Sequence, residues 1–276
     1  MNANPQISWQ RAKIWTDSHK ETEGLPVAIR RARAFYDCCE LLDVHIFEGE
    51  RVVGAIGEFR KCGILTPEFA WMWVDREMDT FATRAQDPYV MTKEQCEYVR
   101  KEIFPYWKGK SLEEAFLARL PEETRRIGVD TGILDIDAKW RQAVGEITPD
   151  YQDVLFKKGF GGIIREAQAH IDALDPVNPE DLEKRDFYQS MIWTSKGIIR
   201  YANRYAQAAD ELAETERDPV RATELRAIAQ NCRKVPEYPP ESFYEAIQFL
   251  WFVQVGGILS ENPLSLNPGR FDQYMD

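Results

Sequence analysis

The side chains able to do chemistry are few and dispersed. The three histidines, His19, His45 and His170, lie far apart, and none sits in an HExxH or comparable ligand spacing. They read as surface or satisfied structural residues rather than as metal ligands. A Ser-His-Asp or Cys-His site meets only in the fold, so spacing leaves it open, but no local signature such as GxSxG supports one. The five cysteines, Cys38, Cys39, Cys62, Cys96 and Cys232, are odd in number, scattered and outside CxxC spacing. Free thiols in a reducing cytoplasm are the simplest account of them. Gly159-Phe160-Gly161-Gly162 lacks the lysine of GxxxxGK[ST] and the order of GxGxxG, so it reads as a hinge or a close-packing break. Glu146 lies between apolar neighbours just before a helix and reads, on pattern alone, as a solvated or capping acid. Trp71 and Trp73 read as core.

Composition narrows the classes. The 276 residues suit one large domain or two ordinary ones, and 44% hydrophobic residues can build a sizeable core. A formal net charge of -11 disfavours nucleic acid or an anionic membrane as the main partner. The first residues contain no apolar h-region, and nothing approaches 18 consecutive apolar residues, so neither a secretory signal nor a membrane span is expected.

The elements that must position any site are mainly helices. Ser8 is expected to cap a helix running to about Thr22, and Pro26 to open one through Leu42. The β-branched, Gly-bounded run 51–57 predicts a short strand, with a loop over 58–66. Pro67-Glu68 starts an aromatic segment, followed by a helix from about Val74 to Arg84. Thr92 with Gln95 forms a capping box for a helix ending near Phe104-Pro105. Pro149 to Ile171 is a helical stretch interrupted by the glycines. Pro179 opens the longest helix, to about Arg217, with a stripe at Met191, Ser195, Ile198, Ala202, Tyr205, Ala209 and Leu212. Another helix runs from Pro219 to about Arg233. Glu241 to Val255 is apolar nearly all round, as a helix is when buried on every side, yet little chain follows to cover it. The abrupt ending at Asp276 reads as a cut.

Several segments, taken in order, resemble the amino-terminal region of glycyl radical enzymes of the pyruvate formate-lyase superfamily. They are Glu50-Arg51-Val52-Val53-Gly54, Thr66-Pro67-Glu68-Phe69, Phe104-Pro105-Tyr106-Trp107-Lys108-Gly109-Lys110, Pro149-Asp150-Tyr151 with Lys158-Gly159-Phe160, and Asn267-Pro268-Gly269-Arg270-Phe271-Asp272-Gln273-Tyr274-Met275. The likeness is greatest to the glycerol and diol dehydratase, hydroxyproline dehydratase and choline trimethylamine-lyase branches. It implies a mainly α chain, the helical amino-terminal part of a ten-stranded α/β barrel. Residues 1–276 would then form one portion of a pyruvate formate-lyase-type domain, stopping before the catalytic cysteine and the glycyl radical domain.

The same resemblance implies a cytoplasmic, oxygen-sensitive lyase or dehydratase. It would cleave a C–O or C–N bond of a small hydroxylated or amino-alcohol substrate by thiyl radical chemistry. The alternatives are a C–C lyase of the formate acetyltransferase or arylacetate decarboxylase type, or a non-catalytic helical binding protein. The chain carries no G-C-x-E segment and no late R-V-x-G-Y loop. Cys38-Cys39-Glu40 and Arg51-Val52-Val53-Gly54-Ala55 mimic them only as strings. No catalytic residue and no cofactor are therefore expected within these residues, the glycyl radical belonging to the full-length protein. Its implied partners are a small-molecule substrate, a radical S-adenosylmethionine activating enzyme and a second copy in a homodimer. By position, Glu146, Gln142, Leu264 and Ser265 match substrate-contacting residues, and Ala138 stands where relatives often carry an aromatic.

Overall fold

The structure is a computed structural model that describes residues 5–133 and 145–275. Its helices are α1 (Gln10–Glu21), α2 (Val27–Leu41), α3 (Pro67–Glu77), α4 (Lys93–Tyr98), α5 (Phe104–Trp107), α6 (Leu112–Leu117), α7 (Glu122–Thr124), α8 (Phe156–Asp172), α9 (Pro179–Thr215), α10 (Pro219–Lys234), α11 (Phe243–Glu261) and α12 (Phe271–Tyr274). Four short strands accompany them: β1 (Gln6–Ser8), β2 (Cys62–Ile64), β3 (Glu146–Ile147) and β4 (Ser265–Leu266).

The spine is α9, 37 residues long and thus about 55 Å. Asn178 caps it by accepting from the Glu180 N–H, Pro179 occupies its first turn, and Glu180 and Asp181 sit at the positive end of its dipole. The helix packs along α2, α8 and α10, burying Ser195, Ile198, Ala202, Tyr205 and Ala209. At the far end of the stripe Ala213 is buried, while Leu212 faces out. Asp218 then accepts from the Val220 N–H and starts α10. The capping box of Thr92 and Gln95 forms as the sequence predicts.

The run 51–57 is not a strand. Side chains from two helices bond its backbone in place of a neighbouring strand, and a third helix holds Glu50 just before it. Gln248 accepts from the Val53 N–H (2.9 Å) and donates to the Val53 carbonyl (2.7 Å). Arg221 donates to the Glu50 carbonyl, Tyr244 to Arg51, Trp251 to Gly54 and Tyr201 to Ala55, while the Ala55 N–H donates to the Tyr205 hydroxyl. Strand propensity loses here because the hydrogen bonds a ladder would supply are already made.

The strand that does form, β2, lies in the expected loop and pairs in parallel with β1, Gln6 beside Cys62. Ser8 therefore belongs to β1, although its hydroxyl still accepts from the Gln10 N–H at 3.3 Å. The aromatic segment is itself helical, so α3 begins at Pro67, bends at Ala70 and ends at Glu77 rather than running from Val74 to Arg84.

Helix α11 finds its cover within the chain. Phe249 is fully buried against Phe156 and Phe160, and Phe252 against Tyr201 and Tyr205. Trp251 is partly exposed, with its indole N–H tied to Gly54.

Candidate functional site

Two positions far apart in the chain, Glu146 and Ser265, are register partners in the parallel pair β3–β4. Asn262, in the left-handed region (φ 42°), ends α11 and turns the chain towards β4. The Ser265 N–H donates to the Gly145 carbonyl (3.1 Å), and the Asn267 N–H to that of Ile147 (2.8 Å). From below, Gln254 of α11 donates to the Leu266 carbonyl at 3.0 Å, fixing β4 to the helix.

Alternation along each strand sorts the side chains. Ile147 and Leu266 turn towards the helices, lining a cavity of about 230 Å³ with Phe35, Phe160 and Ile198. Helix α11 approaches closely there because Gly257 has no Cβ, which would lie 2.4 Å from Leu266 Cδ1. Glu146 and Ser265 consequently project from the opposite face, away from the helices. That face offers a carboxylate acceptor beside a hydroxyl, with register-paired backbones about 4.8 Å apart. Glu146 is exposed and Ser265 half-buried.

Three of the quoted sequence segments hold this pair in place. Tyr274 stacks on the buried Tyr151 (5.7 Å between ring centroids) and meets Phe156 edge-on. Burial pushes the Tyr151 phenol up, so it stays a neutral packing group. The backbone of Gly159 approaches Glu237 so closely that a Cβ would lie 2.2 Å from its carbonyl oxygen. Phe160 and Gly161 donate to the Pro236 and Glu237 carbonyls at 2.9 Å each, which fastens α8 to the turn before α11. The close-packing reading of these glycines fits this geometry.

The other expected positions fall elsewhere. Gln142 and Ala138 lie outside the described residues. Leu264 is 65% exposed and borders a different cavity of about 430 Å³, walled by Ile7, Trp73, Phe81 and Tyr89. The structure thus brings Ser265 to Glu146 and leaves Leu264 apart. The residues that pattern reading missed are Gln248 and Gln254, and they had a signal: each is a polar interruption in an otherwise apolar helix. A buried amide requires a partner, and here the partners are Val53 and Leu266.

The thiols do not compete as a site. Burial pushes Cys38 up to about 12 and Cys39 well up, so both stay protonated and unreactive. Glu40 is held down by its hydrogen bond to Arg200 and is engaged there. Cys62 is likewise pushed up to about 11 by burial. His170 stacks on Tyr188 at 4.9 Å. Among the described residues no group of three or more His, Cys, Asp or Glu is placed to hold a metal ion, and no helix is long and apolar enough to cross a membrane.

Comparison with known proteins gives one consistent result. The family model for pyruvate formate lyase-like proteins matches residues 1–276. The isethionate sulfite-lyase of Oleidesulfovibrio alaskensis is 36% identical over 98% of this chain and 33% of its own length. The glycerol-bound B12-independent glycerol dehydratase of Clostridium butyricum superposes with a TM-score of 0.93 at 35% identity, over 99% of this chain and 34% of that one. A glycyl radical enzyme from Archaeoglobus fulgidus gives 0.88 at 32% identity, over 99% and 35%. The chain therefore spans about a third of the length of the curated relatives it matches. Matched along its whole length and alike in fold to these proteins, the chain belongs to the pyruvate formate lyase-like family of glycyl radical enzymes.

Proposed function

We propose that the full-length protein is a glycyl radical lyase that eliminates a C–O or C–N bond of a small hydroxylated or amino-alcohol substrate. In this reading residues 1–276 are the amino-terminal part of its pyruvate formate-lyase-type domain, and the face bearing Glu146 and Ser265 is a wall of the substrate pocket. The observation that carries it is the register pairing of those two residues in a family member. The radical group, borne by another part of the full-length protein, supplies hydrogen-atom abstraction. The residues present here bind and orient. Glu146 accepts a hydrogen bond from a substrate hydroxyl and holds its oxygen towards the neighbouring Ser265 hydroxyl, which donates to it. Gln142 joins this wall in the proposal, whereas Leu264, which borders the other cavity, stands apart from it. A radical S-adenosylmethionine activating enzyme, a homodimer and a reducing cytoplasm belong to the same reading.

Charge selects among substrates. A carboxylate on the wall favours a hydroxyl or a cation over an anion. Ala138 supplies no aromatic wall, which disfavours a trimethylammonium cage and leaves a diol or triol as the better substrate. A second reading, C–S cleavage with release of sulfite, is favoured by the 36% identity to isethionate sulfite-lyase. It requires a sulfonate to sit away from Glu146 or to meet a cation outside this chain. The test is anoxic activation of the full-length protein, then incubation with glycerol, 1,2-propanediol, choline and isethionate in turn. Aldehyde from a diol or triol is the expected product. Sulfite from isethionate would install the second reading, and failure to form a glycyl radical would restore a non-catalytic binding role.

A further inference from the structure

Two of the quoted segments, Thr66–Phe69 and Phe104–Lys110, take no part in the β3–β4 pair. They converge instead on one cavity of about 480 Å³ where α1, α2, α3, α5 and α6 meet. Its polar groups are incompletely paired. Arg30 is half-buried and donates through Nη2 to the His19 carbonyl and the Tyr106 hydroxyl, 3.0 Å each. Its Nε is buried without a hydrogen-bond partner, and among the described residues Arg30 makes no ion pair. The Lys110 ammonium lies 3.8 Å from the centre of the Tyr106 ring and, among the described residues, forms an ion pair with the exposed Glu23, at 3.1 Å.

Pro26, the N-cap of α2, makes no side-chain capping bond, and Val27 after it borders the same space, so the helix dipole adds positive potential. On the floor lies Glu68, its side chain 5% exposed. One of its oxygens is 2.7 Å from Arg11 Nη2, and the other, Oε2, is buried without a partner. Phe69, Trp107 and Leu112 supply apolar wall.

We propose that this cavity is a second ligand site, separate from Glu146 and Ser265, for a small organic oxyanion bearing a hydrogen-bond donor. The oxyanion meets the Arg30 and Lys110 cations, the donor faces the Glu68 side, and an apolar body lies along Trp107 and Phe69. Glu68 does not repel the anion, because Arg11 already neutralises it. The cavity volume is of the order that small ligands occupy. Bound water alone would leave the Arg30 charge uncompensated and the aromatic walls wetted.

The site is tested by calorimetry on the full-length protein without radical activation, using 4-hydroxybenzoate, benzoate and phenol as probes. The expected order of affinity is 4-hydroxybenzoate, then benzoate, then phenol. Arg30→Gln should weaken 4-hydroxybenzoate about tenfold or more, whereas Glu146→Gln should leave it unchanged. Glu68→Gln breaks a buried ion pair and can fail to fold. Leu112→Trp, which fills the cavity from a position 41% exposed, is the second variant and should abolish binding. Absence of binding by all three probes up to about 10 mM would mean a water-filled cavity and overturn the proposal. Affinity unaffected by Arg30→Gln or by Leu112→Trp, or equal affinity for phenol, would overturn it as well.

Discussion

Glu146 and His19 show how differently two ionisable residues can be placed in one chain. Glu146 stands exposed beside a serine from the far end of the sequence, where it can meet a ligand. His19 is enclosed between Trp15 and Trp107, and its Nδ1 lies 2.9 Å from the Trp15 carbonyl. Burial holds its pKa down, from 6.5 to about 4. The unfolded chain therefore binds this proton first. The stability tied to neutral His19 is complete above pH 6.5 and is lost as the pH falls from 6.5 to about 4, by about 3 kcal/mol at most. His19→Gln, neutral at every pH, should lose less stability than the parent between pH 7 and pH 4.5. Urea unfolding midpoints at the two pH values measure this, and parallel losses would refute the assignment.

At the scale of elements, regular helices were legible in the sequence and irregular contacts were not. Pro179 and Pro219 announced α9 and α10, and Thr92 with Gln95 announced α4, because first-turn prolines and caps act within four residues of themselves. The run 51–57 was misread because its hydrogen-bond partners come from α9 and α11, and no local pattern carries that information. The resemblance singled out Glu146 and Ser265 separately. Their adjacency arises from parallel pairing between distant parts of the chain, which turns and periodicity do not encode.

Two substitutions test these long-range contacts. Gln248→Ala strands the N–H and carbonyl of Val53 in a fully buried site and should cost about 3 kcal/mol or more. Gly159→Ala forces an L side chain to φ 61° and into the Glu237 carbonyl, with a cost of similar size. Both are read from urea unfolding of the full-length protein. Either variant unfolding within about 0.5 kcal/mol of the parent would show that its contact is not made.

The whole molecule combines a well-covered helical layer with two sheets that are unfinished. Expectation placed the missing cover over Phe249 to Val253, yet Phe249 and Phe252 are already buried by α8 and α9. Among the described residues each parallel sheet has two strands, β1 being bridged on its far side by Val90 alone, and such a pair is not independently stable. As an isolated 276-residue polypeptide the chain should associate through the edges of these sheets, giving a concentration-dependent mass in light scattering. A monomer with one sharp melting transition would contradict that expectation.

The central claim is that the Glu146–Ser265 face binds substrate in a glycyl radical lyase. Its most direct test is kcat/KM of the anoxically activated full-length protein on its turned-over diol, for the parent and for Glu146→Gln. The glycyl radical is quantified by electron paramagnetic resonance in both samples. The account predicts equal radical yield and a fall in kcat/KM of about tenfold or more. Equal radical yield with unchanged kinetics would place Glu146 outside the pocket and contradict it.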